Sequence, residues 1–342
     1  MIPAASPALQ PAATPNAGSA DWKRPWREAV RDPRELLELV GLPKLAARVS
    51  DAAAAQFPLR VPRGFVARMR HGDPHDPLLR QVLPLDEEER IVPGFGLDAV
   101  GDAAARTGAG VLRKYRGRAL LVATGSCAIN CRYCFRRHFP YAEETAAAGG
   151  WADAVALIAA DPSIEEVILS GGDPLSLATA KLAELTHALA AIPHVVRLRI
   201  HSRLPVVLPE RVDTGLLAWL RNLPWPVAFV LHANHANEFD ADVDAALARL
   251  RAANAALLNQ AVLLRGVNDS VDALATLSTR AWTAGVLPYY LHQLDRVAGT
   301  AHFEVPEDEA RALHRALAAR LSGYLVPRLV REIPGDTGKR PL

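Results

Sequence analysis

The chain divides by the period of its apolar positions. Before residue 114, apolar residues recur at helical spacing in short, broken patches. The clearest is DPRELLELVGL from Asp32, with an aspartate able to cap and Pro33 at the first helical position. Residues 70–90, RHGDPHDPLLRQVLPLDEEER, are rich in proline and charge and predict irregular chain around one short helix. From Ala119 the period changes: short β-rich runs alternate with longer helical ones at intervals of about 30 residues, the spacing of βα units. Six strands are predicted: ALLVAT from Ala119, EEVILS from Glu165, VVRLRI from Val195, VAFVLH from Val227, LLNQAVLL from Leu257 and LPYYLHQ from Leu287. Helical runs intervene, among them WADAVALIAA from Trp151, DADVDAALARLRAANA from Asp240 and VDALATLSTRAWTAG from Val271. The class is α/β, a partial (β/α)6 barrel, because a full eight-unit barrel takes ~250 residues, more than lie between Ala119 and the last motif. Reactive residues are then expected at the C-terminal ends of the strands.

The expected organisation is a disordered Ala/Pro-rich tail over 1–20, an N-terminal mainly helical lobe over 21–113, the barrel over 114–304, and a C-terminal segment over 305–342. That last segment runs from a helical stretch through a short strand into a Gly/Pro turn bearing Lys339. Half of the residues are apolar, ample for a large core. The net charge is +2 and the 39 basic residues are spread along the chain, which argues against nucleic-acid binding. No apolar run approaches the ~20 residues of a membrane span. The first residues lack the basic start and apolar stretch of a secretory signal, so a cytoplasmic location is expected.

All three cysteines, Cys127, Cys131 and Cys134, fall in CAINCRYC directly after the first barrel strand. An odd number clustered this tightly does not make a disulfide framework; it is soft-metal chemistry. Two readings follow. A zinc site needs a fourth ligand, such as His138, and would suit a zinc-binding interaction protein without catalysis; a [4Fe–4S] cluster on three cysteines keeps one iron open. At the end of the second strand, Ser170-Gly171-Gly172-Asp173 puts glycines where backbone can come close to a ligand.

CxxxCxxC after a strand, followed by GGD after the next, resembles the signature of the radical S-adenosylmethionine (SAM) superfamily. A longer series is more specific: DPLLRQVLP from Asp76, KYRGRALLVATGSCAINCRYCFRR from Lys114, LSGGDPL from Leu169, LHANHANE from Leu231, NQAVLLRGVND from Asn259 and GYLVPRLVREIPGDTGK from Gly323. In order and unbroken, it resembles the lysine 2,3-aminomutase family, the branch of radical SAM enzymes that also uses pyridoxal 5′-phosphate (PLP). The resemblance implies a radical SAM type of partial barrel and a [4Fe–4S] cluster on Cys127, Cys131 and Cys134. It implies SAM beside Ser170, Gly171, Gly172, Asp173, His232 and Gln260, and PLP bonded to Lys339 and contacted by Tyr115 and Arg118. Arg136 matches the residue that binds the substrate carboxylate, and Asp295 and Glu332 match the two acids that grip the ε-ammonium of lysine. The second acid is usually aspartate in that family, so Glu332 keeps the charge on a longer arm.

The activity implied is isomerisation of L-α-lysine to (R)-β-lysine, with hydrogen abstraction from Cβ by a SAM-derived radical and electrons from a flavodoxin- or ferredoxin-type donor. Two features separate the chain from free-standing lysine 2,3-aminomutases of catabolism or osmolyte synthesis. It ends three residues after Lys339, and His292 stands where those enzymes commonly have tyrosine. Both resemble the subgroup that supplies β-lysine for modification of elongation factor P, a functional link to that factor and its lysine ligase.

Overall fold

The computed structural model describes residues 21–108, 110–141, 145–146 and 151–342; the expected tail over 1–20 lies outside them. Ten strands form a single sheet whose order follows the sequence: β1 Arg106–Gly108, β2 Val111–Leu112, β3 Arg118–Thr124, β4 Glu166–Gly171, β5 Arg197–Ser202, β6 Val227–Leu231, β7 Ala255–Val262, β8 Leu287–His292, β9 Arg328–Arg331 and β10 Arg340–Pro341. All neighbours from β3 to β9 pair in parallel, while β1, β2 and β10 add antiparallel edges. The edge strands β1 and β10 do not pair, so the barrel stays open.

The six expected strands are β3 to β8. The sheet gains a seventh parallel strand, β9, which the sequence presents only as four residues between a proline and a turn. The β1–β2 ribbon is shorter still, and no apolar alternation announces it. Helices Ala152–Ala159, Thr179–Ala190, Thr214–Arg221, Ala241–Ala252, Val271–Thr283 and Glu307–Arg320 follow β3 to β8 in turn. Side-chain caps start several of them: Asp213 accepts from Leu216 N, Asp240 from Val243 N and Ser270 from Ala273 N. The capped helix expected after Asp32 is present as Pro33–Leu39. Residues 70–90 hold the one short α-helix expected, Pro77–Arg80, plus a 3-10 turn at Asp86–Glu89.

Alternation along the strands sorts residues to two faces. Val167, Leu169, Leu198, Ile200, Phe229 and Leu231 are buried in the main core with helical residues such as Leu182, Leu216 and Leu247. The opposite set, which includes Ile168, Ser170, Arg199, His201, Gln260, Tyr290 and His292, lines a cavity inside the barrel. The same core continues into the N-terminal lobe through Val30, Leu36, Phe65 and Leu78, so the lobe packs on the barrel without a core of its own. A buried ionic clamp fastens it there. Both Glu88 oxygens bind Arg132, at 2.8 and 2.6 Å, and one also binds Arg137 at 2.7 Å. Those two arginines flank Cys134, so the lobe holds the cysteine loop. Among the described residues no helix is long and apolar enough to cross a membrane.

Candidate active site

Cys127, Cys131, Cys134, Ser170, Gly171, Gly172, Asp173, His232, Gln260, Asp295, Arg136, Tyr115, Arg118, Glu332 and Lys339 all line the one cavity inside the barrel. The topology accounts for most of this. The cysteine loop follows β3, residues 170–173 end β4, His232 follows β6, Gln260 lies near the end of β7, Asp295 follows β8 and Glu332 follows β9. Tyr115 and Arg118 depart from the expectation: Tyr115 enters from the turn before β3 and Arg118 from the first residue of β3, not from a strand's C-terminal end.

The glycine pair has a packing reason. A Cβ on Gly171 would lie 2.5 Å from Thr124 O, and one on Gly172 would lie 2.5 Å from Ser126 O; Gly171 also has φ +119°. The backbone that comes close is therefore that of the end of β3 and the start of the cysteine loop, joined by Gly172 N to Thr124 O at 2.6 Å and Asp173 N to Ser126 O at 2.8 Å. The Asp173 carboxylate accepts from Leu175 N, Ser202 Oγ, Arg203 N and Leu204 N, pinning β4 to β5. Burial pushes it up to about 6 against those donors.

The three cysteines are free thiols. Burial, then the charges of Asp173, Cys134 and Cys131, pushes Cys127 well above the ordinary thiol range, and burial with Cys131 pushes Cys134 up to about 11. Clustered thiols among which Cys127 and Cys134 resist ionisation suit a cationic iron–sulfur centre, which binds thiolates and relieves the repulsion. Among the described residues no group of three His, Cys, Asp or Glu side chains is already arranged to hold a metal ion, and Cys131 Sγ is instead engaged by Arg203 Nη1 at 2.6 Å. His138, the fourth ligand a zinc site would need, does not line this cavity; its Nε2 lies 3.1 Å from Ala298 O.

Other polar atoms await partners. Gln260 Oε1 and His292 Nε2 are buried without a hydrogen bond, which suits a ligand carrying donors. His232 faces His201 with ring centroids 5.5 Å apart, and burial with Arg203 and Lys339 pushes it down to about 3. Burial, with His232 and Arg199 beside it, likewise pushes His201 well below the ordinary imidazole range.

The C-terminal segment brings the remaining charges. Lys339 Nζ donates to Glu332 Oε2 at 2.9 Å and lies 5.7 Å from the Tyr290 ring centre. Tyr115 OH donates to Glu332 Oε1 at 2.6 Å, and the Arg118 guanidinium lies 4.9 Å from the Tyr115 ring centre. A primary amine beside an arginine inside a cavity fits PLP, whose aldehyde takes an amine and whose phosphate takes a guanidinium. Burial raises Glu332, but Lys339, Tyr115 and Lys114 together hold it below the usual glutamate value. Asp295 has less compensation, and burial pushes it up to about 7 against Lys339.

No protein-family model matches the chain. It is 48% identical over 323 residues to the L-lysine 2,3-aminomutase of Escherichia coli, with 94% of either chain covered. The chain belongs to the L-lysine 2,3-aminomutase family. The Haemophilus influenzae member is 44% identical over 93% of this chain and 94% of its own. That of Clostridium subterminale is 32% identical over 94% of this chain and 77% of its own. Sequence reasoning missed several polar residues at this aminomutase's cavity. Arg199 and His201 alternate with Leu198 and Ile200 in a strand covered on both faces, a signal that was present. Lys114 and Arg203 line the cavity as ordinary basic residues of their segments, and Asp102 stands behind it.

Proposed function

We propose that the chain is an isomerase that converts L-α-lysine to (R)-β-lysine by moving the amino group from Cα to Cβ. The observation that carries this is one cavity lined by a cation, Arg136, by two acids, Asp295 and Glu332, and by the amine of Lys339. When bound, the [4Fe–4S] cluster with SAM supplies hydrogen abstraction from Cβ, and PLP supplies the conjugated system through which nitrogen moves.

The protein's own residues divide the rest of the work. Cys127, Cys131 and Cys134 hold the cluster where β4 meets the cysteine loop. Ser170, Gly171 and Gly172 shape the wall for SAM, with Asp173 locking that wall to β5 and His232 and Gln260 facing SAM across the lumen. Lys339 anchors PLP, and Arg118 offsets phosphate charge beside the Tyr115 ring. Arg136 offers the substrate carboxylate its charge and the Nη2 donors that Asp102 and Ser170 leave free. Asp295 and Glu332 receive the ε-ammonium. Asp295, poised near 7, ionises fully once that cation arrives.

Asp295→Asn keeps the shape and removes one charge from a desolvated pair, a loss of roughly 3–5 kcal/mol. Lysine kcat/KM is expected to fall by roughly two to four orders of magnitude, while iron and PLP contents stay at wild-type levels. Full lysine turnover by this variant would place the ammonium elsewhere.

The β-lysine is proposed to serve modification of elongation factor P through its lysine ligase in the cytoplasm, with a flavodoxin- or ferredoxin-type electron donor. His292 and the GYLVPRLVREI run support this subgroup over a free-standing catabolic or osmolyte-forming enzyme.

A further inference from the structure

We infer that Asp102, contributed by the N-terminal lobe, is the positioning residue that fixes Arg136 for the substrate carboxylate and links that subsite to Glu332 at the substrate's far end. This rests on the lysine reading of the cavity and extends it to a residue that does not line the cavity. Arg136 Nε donates to Asp102 Oδ2 at 2.7 Å and Nη1 to Ser170 Oγ at 3.2 Å, so two edges of the guanidinium are fixed and Nη2 is left for a ligand. Arg136 is 6% exposed and Asp102 2%, so water does not compete for this pair. The other Asp102 oxygen lies 2.7 Å from Lys114 Nζ, which is itself 3.5 Å from Glu332 Oε1. Charges alternate from Arg136 through Asp102, Lys114 and Glu332 to Lys339.

The loop bearing Asp102 is built for this placement. Asp98 accepts from Asp102 N and Ala103 N, both at 2.9 Å, and Lys114 Nζ donates to Val100 O at 2.9 Å. Gly101 has φ +68°, and a Cβ there would sit 3.0 Å from Pro334 Cβ, so the loop rests against the segment that carries Lys339. Burial raises the Asp102 carboxyl, but Arg136 and Lys114 together hold it below the usual aspartate value. It is the anion between two cations.

Removing that anion acts at both ends of the substrate. Arg136 loses the carboxylate that sets its plane, and Lys114 loses its nearest anion and turns to Glu332, where it competes with the substrate ammonium. Asp102→Asn is therefore expected to weaken lysine binding roughly 10- to 100-fold, seen as Kd by calorimetry on reconstituted protein without reductant and as KM in turnover. The value of kcat should stay within about threefold. Asp102→Glu should recover part of the loss, and iron and PLP contents should match wild type in both variants.

Unchanged Kd and KM in Asp102→Asn, or a loss confined to kcat, would overturn the inference. So would loss of cluster or PLP from both variants, since Asp102 would then be a purely structural residue. Arg136→Lys, assayed alongside, separates this from failure of the wider reading. If that variant leaves lysine affinity intact, the carboxylate site itself is misplaced. If it weakens lysine while Asp102→Asn does not, only the role of Asp102 fails.

Discussion

Anaerobic reconstitution of Cys131→Ala is expected to leave a folded protein without an intact [4Fe–4S] cluster. All of the chain's cysteines lie in the one loop, so no other thiol can replace the lost ligand. A cluster on two cysteines exposes two irons and loses the closed face that keeps a single iron for SAM. The sulfur's hydrogen-bond partner Arg203 keeps its bonds to Gln81 and Glu238. The loop is tied to the lobe through Arg132, Arg137 and Glu88, and to β4 through Gly172 and Asp173, none of which the substitution touches. Iron and sulfide should fall to background, the EPR signal of the reduced cluster should vanish, and SAM cleavage should stop. The circular dichroism spectrum should match wild type. Wild-type iron content in this variant would remove the cluster from the three-cysteine loop, and stoichiometric zinc in the wild-type protein would favour the interaction-protein reading.

The second large effect is expected at Lys339. In Lys339→Ala the amine that meets the PLP aldehyde is gone, and Glu332 loses a partner at 2.9 Å while keeping its bond from Tyr115. Borohydride reduction in the presence of PLP should fix label to the peptide holding Lys339 in the wild type and to no peptide in the variant. Lysine turnover should be lost. Cluster content should not change, because the cysteine loop and the C-terminal segment reach the cavity from different strands. Equal labelling of the variant would move the covalent anchor to another lysine. Lys114, 3.5 Å from the same carboxylate, is the first residue to examine in that case.

The barrel was legible because β3 to β8 are each long enough to show apolar runs between helices of clear period. Strand β9 was not legible as part of the barrel, since four residues with two arginines carry too little pattern. Its place comes from pairing with β8, a contact no local signal encodes. The cysteine, glycine and C-terminal motifs named residues that the fold does bring into one cavity. The glycine pair carries a second demand that the motif did not show: beside lining the cavity, Gly171 packs on the end of β3 and Gly172 on the cysteine loop, where a side chain would clash. Asp102 was invisible for a different reason. It sits in an irregular loop assigned to a separate lobe, and packing between distant segments, with Gly101 against Pro334 and Lys114 on Val100, carries it to Arg136. Charge networks assembled from distant segments have no period to read.

The most direct test of the account is a side-by-side assay of reconstituted wild-type protein with SAM, PLP and a low-potential reductant on lysine, ornithine and glutamate, with products resolved by chiral chromatography. Two acids and Arg136 lining the same cavity predict β-lysine as the dominant product, with little turnover of ornithine, whose ammonium stops one methylene short, and none of glutamate; the family resemblance implies the (R) isomer. Preference for glutamate, or no β-amino acid from any substrate by protein carrying full cluster and PLP, would contradict it.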